Sequence, residues 1–336
     1  MIKEAINILV QGINLSEDEM VECMNEIMEG RATDAQIGAF LTALRIKGET
    51  VEEITGAARV MRQKAARIEA PEGVVDTCGT GGDMAHTFNV STTTAIVVAA
   101  GGVPVAKHGN RSVSSKSGSA DVLEALGVKI DLPPEKVQRC LEETGFGFLF
   151  APLFHPAMKY AIGPRREMGI RTIFNILGPI TNPAGAKRQI LGVFSDRLTE
   201  PLAQVLGRLG AEDVMVLHGE DGLDEATITD GTKVSRLKRG EVESFIIAPE
   251  DFGFKRATLD DISGGDATEN ARITTEILRG QKGPKRDMVI MNAALTLMVA
   301  GKTEDIKEAK AIAEQTIDSG AAIRKLEEIR EVSQKV

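Results

Sequence analysis

One stretch of the sequence combines positive charge with many small hydrogen-bond donors. Between residues 107 and 119 the chain places Lys107, Arg111 and Lys116 among five serines and two glycines. Glycines let a backbone approach a ligand closely and expose consecutive N–H groups, and the serines and cations add further donors. The combination is typical of a loop that binds an anion such as a phosphate, although a solvated loop is the alternative for this stretch taken alone.

Two earlier segments have the same character. The turn Gly79-Thr80-Gly81-Gly82-Asp83 follows a predicted strand, and Asn89-Val90-Ser91-Thr92-Thr93-Thr94 precedes a predicted apolar helix. The turn has neither the Walker A pattern nor the dinucleotide-binding glycine spacing, and a plain tight turn is its alternative. The second segment could bind an anion with its free N–H groups or serve only as a helix cap. Because ligands of an open α/β sheet bind where its strands end, the three segments together predict a phosphorylated or diphosphate ligand.

A pair of adjacent carboxylates, Asp224 and Glu225, follows a predicted strand at 214–217. Mg²⁺ takes a few carboxylates in proteins and shares its other positions with water and phosphate oxygens. A solvated acidic turn is the alternative for an isolated Asp-Glu pair. Beside a diphosphate site, the pair predicts a magnesium site.

The elements that must position these residues fall into two groups. Residues 1–70 have apolar side chains at helical spacing, and three capping boxes indicate where helices begin. The boxes are Ser16 with Glu19, Thr33 with Gln36, and Thr50 with Glu53. Pro71 and Gly73 then interrupt the pattern, which predicts a domain junction there.

After the junction, short β-type runs alternate with helical ones, which predicts an α/β layer. The predicted strands are 74–77, 103–106, 146–150, 190–194, 214–217 and 244–247, and the predicted helices are 94–100, 120–126, 155–169 and 288–300. We therefore expect a small all-helical N-terminal domain and a larger α/β domain, residues 73–336, with a central mostly parallel sheet flanked by helices.

Composition excludes several classes of protein. The net charge is −9, aromatic residues make up 4% of the chain and tryptophan is absent. A nucleic-acid binder is more often basic and usually offers aromatic rings to stack on bases, so we expect no nucleic-acid partner. Three widely spaced cysteines form neither a disulfide framework nor a metal site. Without a signal peptide or an apolar run that could cross a membrane, we expect a cytoplasmic protein.

The sequence resembles the anthranilate phosphoribosyltransferase family. The resemblance covers residues 74–301, its motifs are specific, and the helical first seventy residues fit the family's small domain. It rests on the motifs GTGGD at 79–83, NVST at 89–92, KHGNR at 107–111, SGSAD at 117–121, GIRT at 169–172, NILGP at 175–179, TNP at 181–183 and DE at 224–225.

The resemblance implies which residues would bind each ligand. For the phosphoribosyl diphosphate they are Gly79, Gly82, Asp83, Thr87, Asn89, Val90, Ser91, Thr92, Lys107, His108, Gly109, Asn110, Arg111, Ser112, Val113, Ser114, Ser115 and Ser119. For anthranilate they are Gly79, Asn110 and Arg165, and for Mg²⁺, with two ions per subunit, they are Ser91, Asp224 and Glu225. Arg165 is the best candidate for the anthranilate carboxylate, because an arginine fork can pair with a carboxylate through two hydrogen bonds; its neighbour Arg166 is the alternative.

The resemblance also implies how the protein acts and assembles. Helices from about 155–185 would complete the N-terminal domain, and a homodimer would form through it. No residue is assigned as a firm catalytic acid or base; His108 could position a substrate, and His155 could line the acceptor site. A pyrimidine nucleoside phosphorylase and a nucleic-acid-binding relative of the same fold are the alternatives, disfavoured by the Asp-Glu pair and by the net charge respectively.

Overall fold

The computed structural model describes residues 1–82, 87–112 and 116–336. Its N-terminal part consists of helices, with the bounds α1 Ile2–Leu9, α2 Glu17–Met28, α3 Asp34–Lys47 and α4 Val51–Lys64. The three predicted capping boxes are confirmed, because Ser16, Thr33 and Thr50 each accept the third amide of the following helix and the side chain there bonds back. Each box satisfies two N–H groups that the first helical turn leaves without intrahelical partners.

A seven-stranded sheet forms the centre of the remaining chain. The strands are β1 Val75–Gly79, β2 Val105–Gly109, β3 Phe146–Phe150, β4 Arg188–Gly192, β5 Asp213–Gly219, β6 Thr232–Lys238 and β7 Glu241–Ile247. Their order is β3-β2-β1-β4-β5-β6-β7. Pairing is parallel from β3 to β5 and antiparallel for β6 and β7, so the predicted mostly parallel sheet is confirmed.

Helices cover both faces of this sheet. Their bounds are α5 Val90–Ala100, α6 Ser119–Ala125, α7 Pro134–Thr144, α8 Ala151–Phe154, α9 Lys159–Met168, α10 Phe174–Leu177, α11 Thr199–Arg208, α12 Ala267–Leu278, α13 Pro284–Val299, α14 Ile306–Asp318 and α15 Ala321–Lys335. One apolar cluster joins α5 and α13 to the sheet. A second runs from α1–α4 through α11 to β4 and β5. Within the described residues, no helix is both long and apolar enough to cross a membrane.

Several predicted bounds were wrong by a few residues. The helix predicted at 94–100 begins at Val90, since Thr92 to Thr94 are buried rather than part of a loop. The strand predicted at 190–194 is β4, which ends at Gly192. Strand β6 was not predicted at all. The segment 155–169 is helical as predicted, with a 3₁₀ turn at Pro156–Met158 leading into α9.

The topology brings the predicted site segments to one edge of the sheet. Because β1 and β2 are parallel neighbours, Gly79 and Gly109 both lie where these strands end. Strands β4 and β5 pair alongside in the same direction, so the segment carrying Asp224 follows the same edge. Helix α9 packs on α2 and α3, and α10 packs on α4. The 155–185 segment therefore lies between the N-terminal helices and the sheet.

Candidate active site

The glycine turn after β1 is attached to two neighbouring segments. Thr80 donates its N–H to the carbonyl of Gly192 at 2.9 Å, and its hydroxyl accepts the N–H of Phe194 at 3.1 Å. Gly81 donates its N–H to Oδ2 of Asp224 at 2.7 Å. The turn is therefore fixed to the end of β4 and to a carboxylate predicted to bind metal.

Close packing sets the position of Asp224. A Cβ at Gly79 would overlap its carboxylate, and a Cβ at Gly192 would overlap its backbone carbonyl. Two residues after Asp224, Ala226 donates its N–H to Oδ1 of Asn292 at 3.1 Å, and its carbonyl accepts from Nδ2 of Asn292 at 2.8 Å. Glycine is thus required at two strand ends so that this buried acidic residue can approach the turn.

The residues predicted to bind Mg²⁺ lie at this same place. Oε1 of Glu225 accepts the N–H of Ser91 in the first turn of α5 at 3.2 Å, and Asp224 precedes Glu225 in the chain. Two carboxylates and a hydroxyl are the hard oxygen donors that Mg²⁺ prefers, so the donor set fits this ion. No group of three or more His, Cys, Asp and Glu side chains within the described ranges could hold a metal.

Lys107 is almost completely buried beneath this site, with 1% of its surface exposed. Its ammonium donates to the carbonyl of Thr77 and, at 3.2 Å, to the hydroxyl of Ser91. Burial lowers the pKa of Lys107, opposed mainly by the negative charge of Asp76, whose own pKa burial raises to about 6. In this structure Lys107 orients Ser91, and its predicted contact with the diphosphate remains a prediction.

Asn89 connects the second and third loop segments. It is the N-cap residue of α5, but its side chain makes no capping hydrogen bond. Instead its Nδ2 donates to the carbonyl of Ser117 at 3.2 Å, and its Oδ1 accepts from Ser117 and from Asn270 at 3.2 and 2.9 Å. The amide side chain of Asn89 therefore holds the loop before α6 against the beginning of α5.

The segment after β2 folds back onto α6. The carbonyl of Asn110 accepts from the hydroxyl of Ser119, and Asp121 accepts the N–H of Ser112 at 3.0 Å. The exposed guanidinium of Arg111 pairs with Asp121 and Glu124, each at 2.9 Å. In this structure Arg111 therefore forms ion pairs with acidic residues of α6.

Two histidines face each other near the end of β2. Nδ1 of His108 lies 3.0 Å from the carbonyl of Gly178, and its ring centroid is 5.0 Å from that of His155. Burial lowers the pKa of His108 to about 3 and that of His155 to about 4. Both imidazoles are therefore neutral at pH 7. The hydrogen bond to Gly178 assigns the proton of His108 to Nδ1, which leaves Nε2 as an acceptor.

Arg165 lies at the end of α9 with its guanidinium 5.1 Å from the ring centroid of Phe174. Burial lowers the pKa of this side chain, and no charged group of the described residues opposes that shift. A half-buried arginine without a carboxylate partner is suited to bind the carboxylate of a ligand. Its neighbour Arg166 is exposed.

The other predicted residues are less informative. Thr87 pairs with Ser263 in an isolated bridge, and Val90 and Thr92 are buried in the first turn of α5. Four residues predicted to contact the sugar diphosphate lie outside the described residues: Asp83, Val113, Ser114 and Ser115.

Sequence reasoning assigned no role to a group of buried polar residues around Asp76. Its carboxylate accepts the N–H of His108 at 3.2 Å and the amide of Asn182 at 2.7 Å, while Gln189 donates to the carbonyl of Pro179 at 2.8 Å. These bonds tie β1, β2 and β4 to the segment after α10. The Asn-Pro pair at 182–183 was noticed in the sequence, but nothing there indicated its partner.

The comparisons with known proteins agree with this geometry. Residues 3–65 match the helical bundle domain of a glycosyl transferase family, and residues 71–323 match its a/b domain. An anthranilate phosphoribosyltransferase of Acetivibrio thermocellus is 59% identical over 98% of this chain and 96% of its own. The crystal structure of the Thermus thermophilus enzyme is 43% identical, with a TM-score of 0.93 over 98% of this chain and 99% of that one.

The Saccharomyces cerevisiae enzyme extends the likeness to ligand complexes. Its structure with PRPP and Mg is 28% identical, with a TM-score of 0.90 over 100% of this chain and 98% of that one. Its complex with 4-fluoroanthranilate has a TM-score of 0.86, with 96% and 94% of the two chains covered. With such identity over nearly its whole length, and with the glycine turn, carboxylate pair and buried histidines assembled at one sheet edge, the chain belongs to the anthranilate phosphoribosyltransferase family.

Proposed function

We propose that this protein transfers the 5-phosphoribosyl group of 5-phospho-α-D-ribose 1-diphosphate to anthranilate. The products are N-(5-phosphoribosyl)anthranilate and diphosphate, and the reaction is the second step of tryptophan biosynthesis from chorismate. One observation carries the proposal: the glycine turn and the start of α5 both contact the acidic pair. Gly81 bonds Asp224 at 2.7 Å and Ser91 bonds Glu225 at 3.2 Å, so the segments proposed to bind the anion and the metal are in contact.

The reaction breaks the bond between the anomeric carbon and the diphosphate oxygen, and the diphosphate leaves with the electron pair. Hydroxyl groups around the glycine turn and the first turn of α5 would bind the negative charge that collects on the leaving group, while the N–H groups of Gly81 and Ser91 hold Asp224 and Glu225. We propose two Mg²⁺ per subunit at Ser91, Asp224 and Glu225; Mg²⁺ bound there would neutralise much of that charge.

The acceptor is an aromatic amine that is already neutral, so its nitrogen lone pair can attack the anomeric carbon without prior deprotonation. The new C–N bond leaves a positive charge on the nitrogen, which is removed when one N–H proton passes to water or to the departing diphosphate. Arg165 would hold the anthranilate carboxylate through two parallel hydrogen bonds, with Gly79 and Asn110 beside the ring. Neutral His108 would accept a hydrogen bond from the amine at Nε2, which lacks a partner among the described residues. This role is positioning, because it aligns the amine with the carbon.

Anthranilate fluorescence tests the function directly. The chain has no tryptophan and one tyrosine, so its own emission interferes little. We expect the anthranilate signal to decay when enzyme, phosphoribosyl diphosphate and Mg²⁺ are mixed, and EDTA to stop the decay. Folded protein that gives no decay, yet cleaves pyrimidine nucleosides with inorganic phosphate, would instead identify a nucleoside phosphorylase.

We further propose a cytoplasmic homodimer that associates through the N-terminal helices. Three apolar side chains there are exposed: Val10 to 66%, Ile13 to 53% and Ile46 to 82%. Val10 and Ile13 follow α1 and Ile46 lies in the last turn of α3, and these two helices pack on each other. Light scattering after gel filtration should give twice the chain mass, and Ile46→Glu should give the monomer; a monomeric wild type would contradict the proposal.

We also propose how the chain divides into domains. Residues 1–70, completed by helices from 155–185, would form one domain, and residues 73–336 the α/β domain. The packing of α9 on α2 and α3, and of α10 on α4, supports this assignment.

A further inference from the structure

Arg171 makes a contact that the function described so far does not use. Its Nη2 donates to the carbonyl of Gly82, the last described residue of the glycine turn. The guanidinium also lies over the ring of Phe194, with Cζ 4.5 Å from the centroid. One side chain thus bonds the turn and stacks on the residue whose N–H bonds Thr80 in that same turn.

The packing is close enough to restrict both partners. A Cβ at Gly82 would lie 2.6 Å from Nη2 and 3.0 Å from Cζ of Arg171, and φ at Gly82 is +81°. The backbone angle favours glycine, and a larger residue would also displace the guanidinium. The arginine is restricted as well. A planar guanidinium can stack on a ring while its edge donates a hydrogen bond, and a lysine ammonium cannot do both.

The backbone of Arg171 is held on both sides. Helix α9 ends at Met168, and the following residue, Gly169, turns the chain with a φ of +63°. Just before α10, the N–H of Thr172 donates to Oδ1 of Asn175 at 3.0 Å. Residues 169–172 come soon after Arg165, which lies in the last turn of α9. Arg171 therefore connects a fixed part of the proposed acceptor site to the turn that would bind the donor.

We propose that Arg171 is a positioning residue for the phosphoribosyl donor. By bonding the Gly82 carbonyl, it holds the glycine turn at the end of β1 beside Asp224, in the position where the turn would meet the diphosphate. Glycines lose more conformational freedom than other residues when they are ordered, so a turn with three of them binds tightly only if its surroundings order it beforehand. This inference rests on the proposed transferase function.

The test compares Arg171→Met and Arg171→Lys with wild type. Loss of a charge-assisted hydrogen bond predicts about a tenfold to hundredfold rise in the KM for phosphoribosyl diphosphate in Arg171→Met. The KM for anthranilate at saturating donor should change less than about threefold, since Arg165 keeps its place. Arg171→Lys should fall between the two, because an ammonium can reach the carbonyl but cannot stack flat. Phe194→Leu, which removes only the stacking, should also raise the donor KM.

Controls separate positioning from general stability. Arg139→Met removes an arginine that is 61% exposed and pairs only with Glu143 on its own helix, so it should match wild type. Equal donor KM values in wild type and Arg171→Met would overturn the proposal. So would a large loss of thermal stability with kcat reduced in proportion to the folded fraction.

Calorimetry with phosphoribosyl diphosphate and Mg²⁺ distinguishes failure of this inference from failure of the proposed function. If wild type binds the donor but transfers nothing to anthranilate, the transferase proposal fails, and the ratio of dissociation constants for wild type and Arg171→Met decides the role of Arg171. If wild type does not bind the donor, both proposals are wrong.

Discussion

The imidazole rings of His108 and His155 lie 5.0 Å apart at an angle of 51°, buried between the end of β2 and the segment that begins α9. Nε2 of each ring has no partner among the described residues. Two adjacent imidazoles in such a place are held neutral, because charging either one would cost desolvation and, once both were charged, repulsion.

This arrangement predicts a loss of stability in mild acid. The pKa values of His108 and His155 are lowered by burial to about 3 and about 4, below the unfolded value of about 6.5. The unfolded chain therefore binds more protons as the pH falls through 6.5, and each ring should reduce the free energy of unfolding by about 2 kcal/mol between pH 7 and pH 5. Urea denaturation at several pH values measures this slope.

Asp76 has the opposite effect on stability. Its pKa is raised to about 6 in the folded protein, so as the pH falls the folded state takes up this proton before the unfolded chain does and gains stability. The decisive comparison is therefore with the variant His108→Asn/His155→Asn, which should lose much of the acid sensitivity. His218→Asn leaves both rings in place and should keep the wild-type slope. An unchanged slope in the double variant would show that the two rings are not held neutral.

Asp224→Asn should separate metal-dependent turnover from folding. The amide oxygen can still accept from the N–H of Gly81, but the carboxylate charge for Mg²⁺ is lost. We expect kcat/KM to fall by roughly a hundredfold and the Mg²⁺ requirement to rise, with Tm within about 4 °C of wild type. Titration of initial rates with Mg²⁺, together with thermal unfolding, measures both effects.

A nearby carboxylate provides the contrast. Asp221 accepts hydrogen bonds from Thr227, at 2.6 Å, and from Thr229, and it also bonds the N–H of Leu223. Its role is to order the turn, so Asp221→Asn should lower Tm more than it changes the Mg²⁺ dependence. Equal losses of Tm in both variants would argue against a metal role for Asp224.

Arg165→Ala should affect the acceptor selectively. Burial alone shifts the pKa of its guanidinium, with no contribution from a charged partner in the described chain, so its loss leaves no buried charge unpaired. We expect the KM for anthranilate to rise at least about tenfold and that for phosphoribosyl diphosphate to change little. Steady-state kinetics with each substrate varied in turn gives both values. Arg166→Ala should resemble wild type; the reverse pattern would place the anthranilate carboxylate at Arg166.

The parts of this structure that the sequence predicted have local causes. Capping boxes pair residues three positions apart, and strands β3, β4 and β5 contain short apolar runs. Strand β6 was missed because three of its seven residues, Lys233, Arg236 and Lys238, are basic. Its antiparallel partners stabilise it rather than its own composition. Within the site, the role of Arg171 could not be predicted, since its partners are a carbonyl and a ring distant in the chain.

Glycine substitutions test the close approach of the acidic pair to the sheet edge. Gly79→Ala would place a methyl group where the Asp224 carboxylate lies, so this carboxylate must move away from the strand end. We expect transfer activity to fall by about a hundredfold or more, because a displacement of about 1 Å in a positioned site costs about that much. Gly163→Ala, in α9, meets no atom within 4 Å and should preserve activity while raising Tm slightly, since alanine favours the helix. If Gly79→Ala kept wild-type kcat and Mg²⁺ dependence, the contact between the carboxylate and this strand end would not contribute to the reaction.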